Sequence, residues 1–173
     1  MDRSIAARVT VRRFRPVDLS RLQDGAGPRD RFHHDERSGM HERGEATYLL
    51  AWDGDLPCGR VTLFHRSKYA RVRVVLGDFP ELNALEATPR GLGICSRLIA
   101  AAEAQATALR ARRVGLAVEH GNADARRLYE RLGYVQWEHG DVIDRYPERD
   151  AVGTVVREHA DPCSYLVKHL DGR

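Results

Sequence analysis

A chain of 173 residues, 42% hydrophobic and 31% charged, has room for one ordinary hydrophobic core and not for two generous ones. The formal net charge is only +3, and all but two of the 28 basic residues are arginines scattered among 25 acids without a block of like charge, which argues against a nucleic-acid partner. Residues 1–8 lack a signal-peptide core, no apolar run is long enough to cross a bilayer, and Cys58, Cys95 and Cys163 are widely spaced, so the expectation is a cytoplasmic protein with reduced thiols, no membrane partner and no metal.

Residues 7–14 alternate apolar and basic side chains, as a half-exposed first strand does. Pro16 then opens a helix with Leu19 and Leu22 as its apolar stripe, closed by the Gly-Ala-Gly-Pro of residues 25–28. Residues 29–44 read as a polar, solvated helix carrying His33, His34, Met40 and His41. His34 and His41 share a face two turns apart, but no third ligand accompanies them. Residues 46–52 and 60–65 make an antiparallel hairpin that turns at Gly54. Residues 71–76 are rich in valine and continue as a strand, broken by residues 77–80. Residues 81–88 form the next strand, with Glu81, Asn83, Leu85 and Ala87 on one face and Leu82, Ala84 and Glu86 on the other.

That strand delivers the chain to Pro89-Arg90-Gly91-Leu92-Gly93-Ile94-Cys95-Ser96, which opens a long alanine-rich helix over residues 92–112. Glycines at 91 and 93 let the backbone turn tightly with its N–H groups outward, and the helix dipole adds positive potential, so the turn reads as a phosphate cradle. A Gly-x-Gly before a helix marks a tight steric turn as readily as an anion site. Residues 114–118 are continuously apolar, the pattern of a strand buried on both faces and paired in parallel with the one before the helix. Asn122 caps a short helix whose Ala125, Leu128, Tyr129 and Leu132 face one side, and Gly133 ends it. Residues 134–138 form a strand, residues 141–162 a long charged connection with a small hairpin turned at Gly153, and residues 164–168 the last strand.

Two stretches, Arg90-Gly91-Leu92-Gly93-Ile94-Cys95 and Asn122-x-x-Ala125-x-x-Leu128-Tyr129-Glu130-x-x-Gly133-Tyr134, together resemble the GNAT superfamily of acyl-CoA N-acyltransferases. The first is similar to that family's coenzyme-A pyrophosphate loop and the second to its Asn…Tyr helix. The resemblance implies one α+β domain over residues 1–173, with a central mixed, twisted sheet of about six or seven strands, about four flanking helices and one parallel strand pair. It also implies an N-acetyltransferase that moves an acetyl group from acetyl-CoA, with no metal, to a small-molecule or protein amine. A homodimer is left open. The alternative is an acyl-CoA-binding module of the same fold with a regulatory role or lost catalysis.

Carried over residue by residue, the amides of Gly91, Leu92, Gly93, Ile94, Cys95 and Ser96 would hold the pyrophosphate, with Arg90 adding charge. The backbone of Leu85, Glu86 and Ala87 would pair with the pantetheine arm as an added strand, the Ala87 amide facing the thioester carbonyl. Asn122 would anchor that arm, a role compatible with its helix cap. Tyr129 would act at the departing thiolate. A phenol near pKa 10 giving its proton to a thiol near 8.5 is uphill by about 2 kcal/mol, so a strengthening hydrogen bond describes the role better than outright transfer. An amine acceptor must lose a proton before attack, and Glu81 is the first candidate base, with Glu119 and His120 behind it.

Two departures stand out: Cys95 takes a place where the family has glycine or alanine, and Pro89 directly precedes Arg90, which shortens the loop. Residues 29–43 and 141–150 would line the acceptor cleft, with Asp141, Asp144, Glu148 and Asp150 attracting a cation and Trp137 and Tyr146 flooring a pocket.

Overall fold

The computed structural model describes residues 8–150 and 152–170. The first residue of the expected opening strand, Ala7, lies outside them. Eight strands form one mixed sheet: β1 Val9–Arg13, β2 Ala46–Asp53, β3 Leu56–Phe64, β4 Glu81–Ala87, β5 Arg113–Glu119, β6 Val135–Gln136, β7 Val142–Arg149 and β8 Val155–His169. Their order is β1-β2-β3-β4-β5-β8-β6, with β7 hydrogen-bonded to β8. All neighbours are antiparallel except β4 and β5, the one parallel pair. Five helices flank it: α1 Leu19–Gln23, entered through a 3-10 turn at Pro16–Asp18, α2 Pro28–Glu42, α3 Ala70–Leu76, α4 Ile94–Ala108 and α5 Ala123–Arg131.

Adjacent residues on the strands serve opposite layers. Leu49, Ala51, Leu82, Leu116, Val118 and Leu166 point to the layer filled by Ile94, Leu98, Ile99, Ala102 and Ala106 of α4 and Tyr129 of α5. Truncating the fully buried Leu98 to alanine there costs about 2–5 kcal/mol. Tyr48, Leu50 and Trp52 point the other way, under Leu22 of α1. Further along that second face, Val72 of α3 packs with Tyr69, Phe79, Trp137, Val142, Cys163 and Tyr165.

The structure corrects the sequence reading in four places. Residues 71–76 are helical, not extended: Val72 is buried and Leu76 half-buried one turn on, while Val74 and Val75 point to solvent, so the helical period overrides the strand preference of valine. The polar helix is not simply solvated, because His34 and Ser38 are buried against the sheet. The long connection of residues 141–162 is mostly strand. β7 pairs with the first half of β8 from Val142 against Cys163 to Arg149 against Val155, and the short final strand expected at 164–168 is only the end of β8. Most of this hairpin outside the core is exposed or half-exposed, and its outer residues mix polar side chains with Ile143, Val155 and Val156, so the two-residue pattern is lost. The extra strand and helix bring the totals to eight and five.

The fourth correction concerns β4. Arg60 pairs with Glu86 but Thr62 pairs with Asn83, so Ala84 and Leu85 together oppose Val61 in a β-bulge. Ala84 takes φ 52°, a left-handed conformation that costs an alanine roughly 1–2 kcal/mol. The strict alternation expected along the strand therefore holds only to Asn83.

Candidate functional site

The bulge lies where the parallel pair comes apart. β4 and β5 pair only at Glu81 with Gly115 and Leu82 with Leu116. Beyond that point the edge of residues 83–87 facing β5 has no strand partner, and a cavity of about 250 Å³ opens between the two strands. Leu82, Asn83, Ala84 and Leu85 form one wall and Ala117, Val118 and Glu119 the other. Asn122, Ala125 and Tyr129 close it on the α4–α5 face, and Asp144 and Cys163 line it on the opposite face. Val118 belongs to the first layer and Ala117 packs on the second, so the opening runs through the sheet from one face to the other.

On the α4–α5 face the expected cradle takes shape. Gly91 and Gly93 have φ 80° and 74°, conformations that favour glycine, and Gly93 is the residue from which α4 starts. The expected helix start at Leu92 thus shifts to Ile94. Its first backbone bond runs from the Arg97 amide to the Gly93 carbonyl, which leaves the amides before it free of partners within the helix. Arg90 and Gly91 are exposed, Leu92, Cys95 and Ser96 half-buried, and the Ile94 side chain is in the core. The Cys95 thiol packs against that core near Tyr129, and burial pushes its pKa up despite Arg90. Leu85 borders the gap, Glu86 is exposed and bonded to Arg60, and Ala87 is buried beside Gly59. The Thr88 amide extends the pairing with β3 by bonding the Cys58 carbonyl at 2.9 Å.

Asn122 caps α5, its side chain accepting from the Ala125 amide at 3.1 Å, and lines the cavity as well. Tyr129 packs edge-on to Tyr134 with ring centroids 5.8 Å apart. Among the described residues its hydroxyl has no hydrogen-bond partner, and burial pushes its pKa up to about 12. Such a phenol holds its proton and donates it.

Glu81 is not in the cavity wall. It starts β4 on the second face, 1% exposed, and accepts from the Tyr165 hydroxyl at 2.8 Å, from the Ser67 hydroxyl and from the Lys68 amide at 3.5 Å. Desolvation raises its pKa, only partly offset by the two hydroxyls. Gly115 makes this arrangement possible. A Cβ there would come within 2.3 Å of the Tyr165 hydroxyl and 2.9 Å of the Phe79 ring, so only glycine lets that ring lie across β5 to reach Glu81. Glu119, by contrast, borders the gap and is exposed, and His120 is half-exposed and 3.1 Å from Asp141.

On the second face, α2 and the β7–β8 hairpin stand on either side of the opening. Arg149 lies 4.5 Å over the Phe32 ring, and Phe32 sits beneath Gly153, so the hairpin tip reaches α2. Asp144 is paired with Lys68. Tyr146 stacks on His159 at 4.8 Å and donates to Asp161 at 2.7 Å. Trp137 belongs to the core rather than to a pocket floor: it is buried and its indole N–H is bonded to the Gly140 carbonyl. Sequence reasoning missed Arg37, Ser67 and Tyr165. Only Gly115, a glycine inside an apolar strand, signalled a close approach.

A mixed sheet whose one parallel pair splays beside a glycine turn and a helix start is the architecture of acyl-CoA N-acyltransferases, as the resemblance implied. The chain belongs to the acetyltransferase (GNAT) family, whose model matches residues 16–134. Among solved structures it is similar to Arabidopsis thaliana NAA60 in complex with a bisubstrate analogue, with 20% identity and a TM-score of 0.68 over 95% of this chain and 99% of that one. It is also similar to the ribosomal-protein-alanine N-acetyltransferase of Brucella melitensis, at 18% identity and a TM-score of 0.65 over 93% and 99%. Salmonella typhimurium yncA, solved with its cofactor acetyl-CoA, gives 16% identity and a TM-score of 0.61 over 96% of each chain. At such identities the likeness is one of fold. No match was found among curated proteins. Among the described residues, no helix is long and apolar enough to cross a membrane.

Proposed function

We propose that the protein transfers an acetyl group from acetyl-CoA to an amine by direct attack across the gap between β4 and β5. The observation that carries this reading is the opening itself: a through-sheet cavity with free backbone along residues 83–87, an unpartnered tyrosine hydroxyl at its side and a glycine turn with free helix amides at its end. Acetyl-CoA supplies an acyl group activated as a thioester. The free strand edge suits an extended amide-bearing arm, and the amides from Gly91 to Ser96 suit a pyrophosphate. Tyr129 donates to the sulfur side and gains strength as negative charge develops there.

The acceptor enters from the second face, where the exposed Glu119 borders the gap and favours a cation. Glu81 is the base. Its raised pKa matches a proton acceptor better than an ordinary carboxylate does, and a water in the gap relays the proton from the amine, since Glu81 itself does not border the cavity. Calorimetric titration with acetyl-CoA under reducing conditions, followed by thiol release over a panel of amines, tests the whole. Binding with amine-dependent release supports it, binding without release on any amine favours an acyl-CoA-binding module, and absence of binding overturns it. In Glu81→Gln, kcat/KM should fall about 100-fold and lose its dependence on that group's ionisation; an unchanged pH profile would move the base to Glu119.

A further inference from the structure

Three arginines are drawn into the second face, and two of them have carboxylates to match. Arg12 makes a two-pronged pair with Asp18 at 2.6 and 2.8 Å. Arg60 bonds Asp30 at 2.9 Å and Glu86 at 2.6 Å. Arg37, on the inner side of α2, differs. Its side chain is only 15% exposed, its guanidinium stacks 4.9 Å over Phe64, and its hydrogen bonds go to the Asn83 side chain at 3.2 Å and to the Met40 sulfur at 3.6 Å. Its Nε, like those of Arg60 and Arg149, is buried with no hydrogen bond among the described residues; what sets it apart from Arg60 is that the one carboxylate within ion-pair distance among those residues is Glu36, half-exposed at 3.6 Å. Asp144 across the opening is held by Lys68, Asp30 is held by Arg60, and His33 beside Arg37 is neutral, its pKa lowered by burial to about 3.

A guanidinium this buried, with only a half-exposed carboxylate at 3.6 Å and no hydrogen bond to it, is costly, and desolvation lowers its pKa more than Glu36 raises it. Removing the charge by substitution would relieve that cost, so its presence needs a use. Its position supplies one: Asn83 is both its hydrogen-bond partner and part of the cavity wall at the point where β4 parts from β5. The planar fork of arginine fits a carboxylate with two parallel N–H···O bonds.

We infer that Arg37 receives a carboxylate of the acceptor, so that the acceptor class is an amine with a carboxylate nearby in the same molecule. The inference rests on the second face being the acceptor side. The surroundings are complementary to such a molecule: the exposed Glu119 borders the gap where the ammonium enters, and Arg37 lies on the α2 side, bonded to the Asn83 side chain of the cavity wall. The carboxylate is either that of a free amino acid or that of an acidic side chain next to a peptide's amino terminus.

Matched acceptor pairs test it: free amino acids against their amides, and short peptides with aspartate against asparagine at the first two positions, all assayed by thiol release from acetyl-CoA. The parent should favour the acid member of one pair, and Arg37→Gln should raise KM for that acid about 10- to 100-fold while leaving the amide and acetyl-CoA within twofold. Arg37→Lys, which keeps the charge without the fork, should fall between. If the parent shows no preference for the acid, or if the variants weaken acid and amide alike, Arg37 only positions β4 and the inference fails while acetyl transfer stands. Thermal-shift titration with the same carboxylates needs no turnover. Stabilisation that disappears in Arg37→Gln would uphold the carboxylate site even if no amine were acetylated, and its absence in the parent would overturn it.

Discussion

Two strand junctions in the same sheet behave in opposite ways. β2 and β3 stay paired along all of β2, from Ala46 against Phe64 to Asp53 against Leu56, and both faces of that ribbon are filled by core side chains. β4 and β5 pair at two positions and then part, exposing backbone groups that the rest of the fold keeps satisfied. The contrast teaches that the candidate site is made by withdrawing strand pairing from one seam, whereas the bulges elsewhere in the sheet leave their strands paired on both sides. Stability comes from the closed junction and binding capacity from the open one.

The largest test of that division is Tyr129→Phe. Under the proposed reading its hydroxyl serves the opening, and it has no hydrogen-bond partner among the described residues, so kcat should fall about 100-fold with the melting temperature nearly unchanged, measured by thiol release and calorimetry. Gly115→Ala acts at the first of the two paired positions. A methyl group there forces Tyr165 and Phe79 aside, which should cost about 1–3 kcal/mol in urea unfolding and disturb Glu81 as well. Ala84→Val places a β-branched residue in the left-handed bulge and should weaken acetyl-CoA binding about tenfold, whereas Ala84→Gly should bind as the parent does. Equal binding by all three would mean that the bulge does not open the seam.

The smallest effect is one of pH. Because Glu81 holds its proton more tightly in the folded state, its stabilising contribution is complete below the unfolded value of about 4.3 and is lost as pH rises through the raised folded value. Glu81→Gln keeps the neutral form throughout, so its stability relative to the parent should grow as pH rises above about 4. Unfolding titrations across that range check it.

The closed junction and the glycine turn were legible in the sequence because local chemistry dictates them: two apolar-rich runs turned at Gly54, glycines at 91 and 93, a capping asparagine at 122. The open seam was not. Ala84 carries no glycine or asparagine signal for its positive φ, so a strand read by strict alternation hides the bulge. The hairpin of β7 and β8 touches α2 near its tip, and with most of its residues outside the core exposed it loses the pattern that marks a half-buried strand. Glu81 could be singled out through the family resemblance, as the acid that starts the strand leading to the glycine turn. Its burial could not, since that depends on Ser67 and Tyr165, joined to it only by the fold.

The opening between β4 and β5 also bears on kinetics. The sheet is a partition with one window, and under the proposed reading the donor occupies one side and the acceptor the other. Neither then obstructs the other's entrance, and either arrives first. Initial-rate plots should intersect rather than run parallel, and spent coenzyme should inhibit by competing with acetyl-CoA alone.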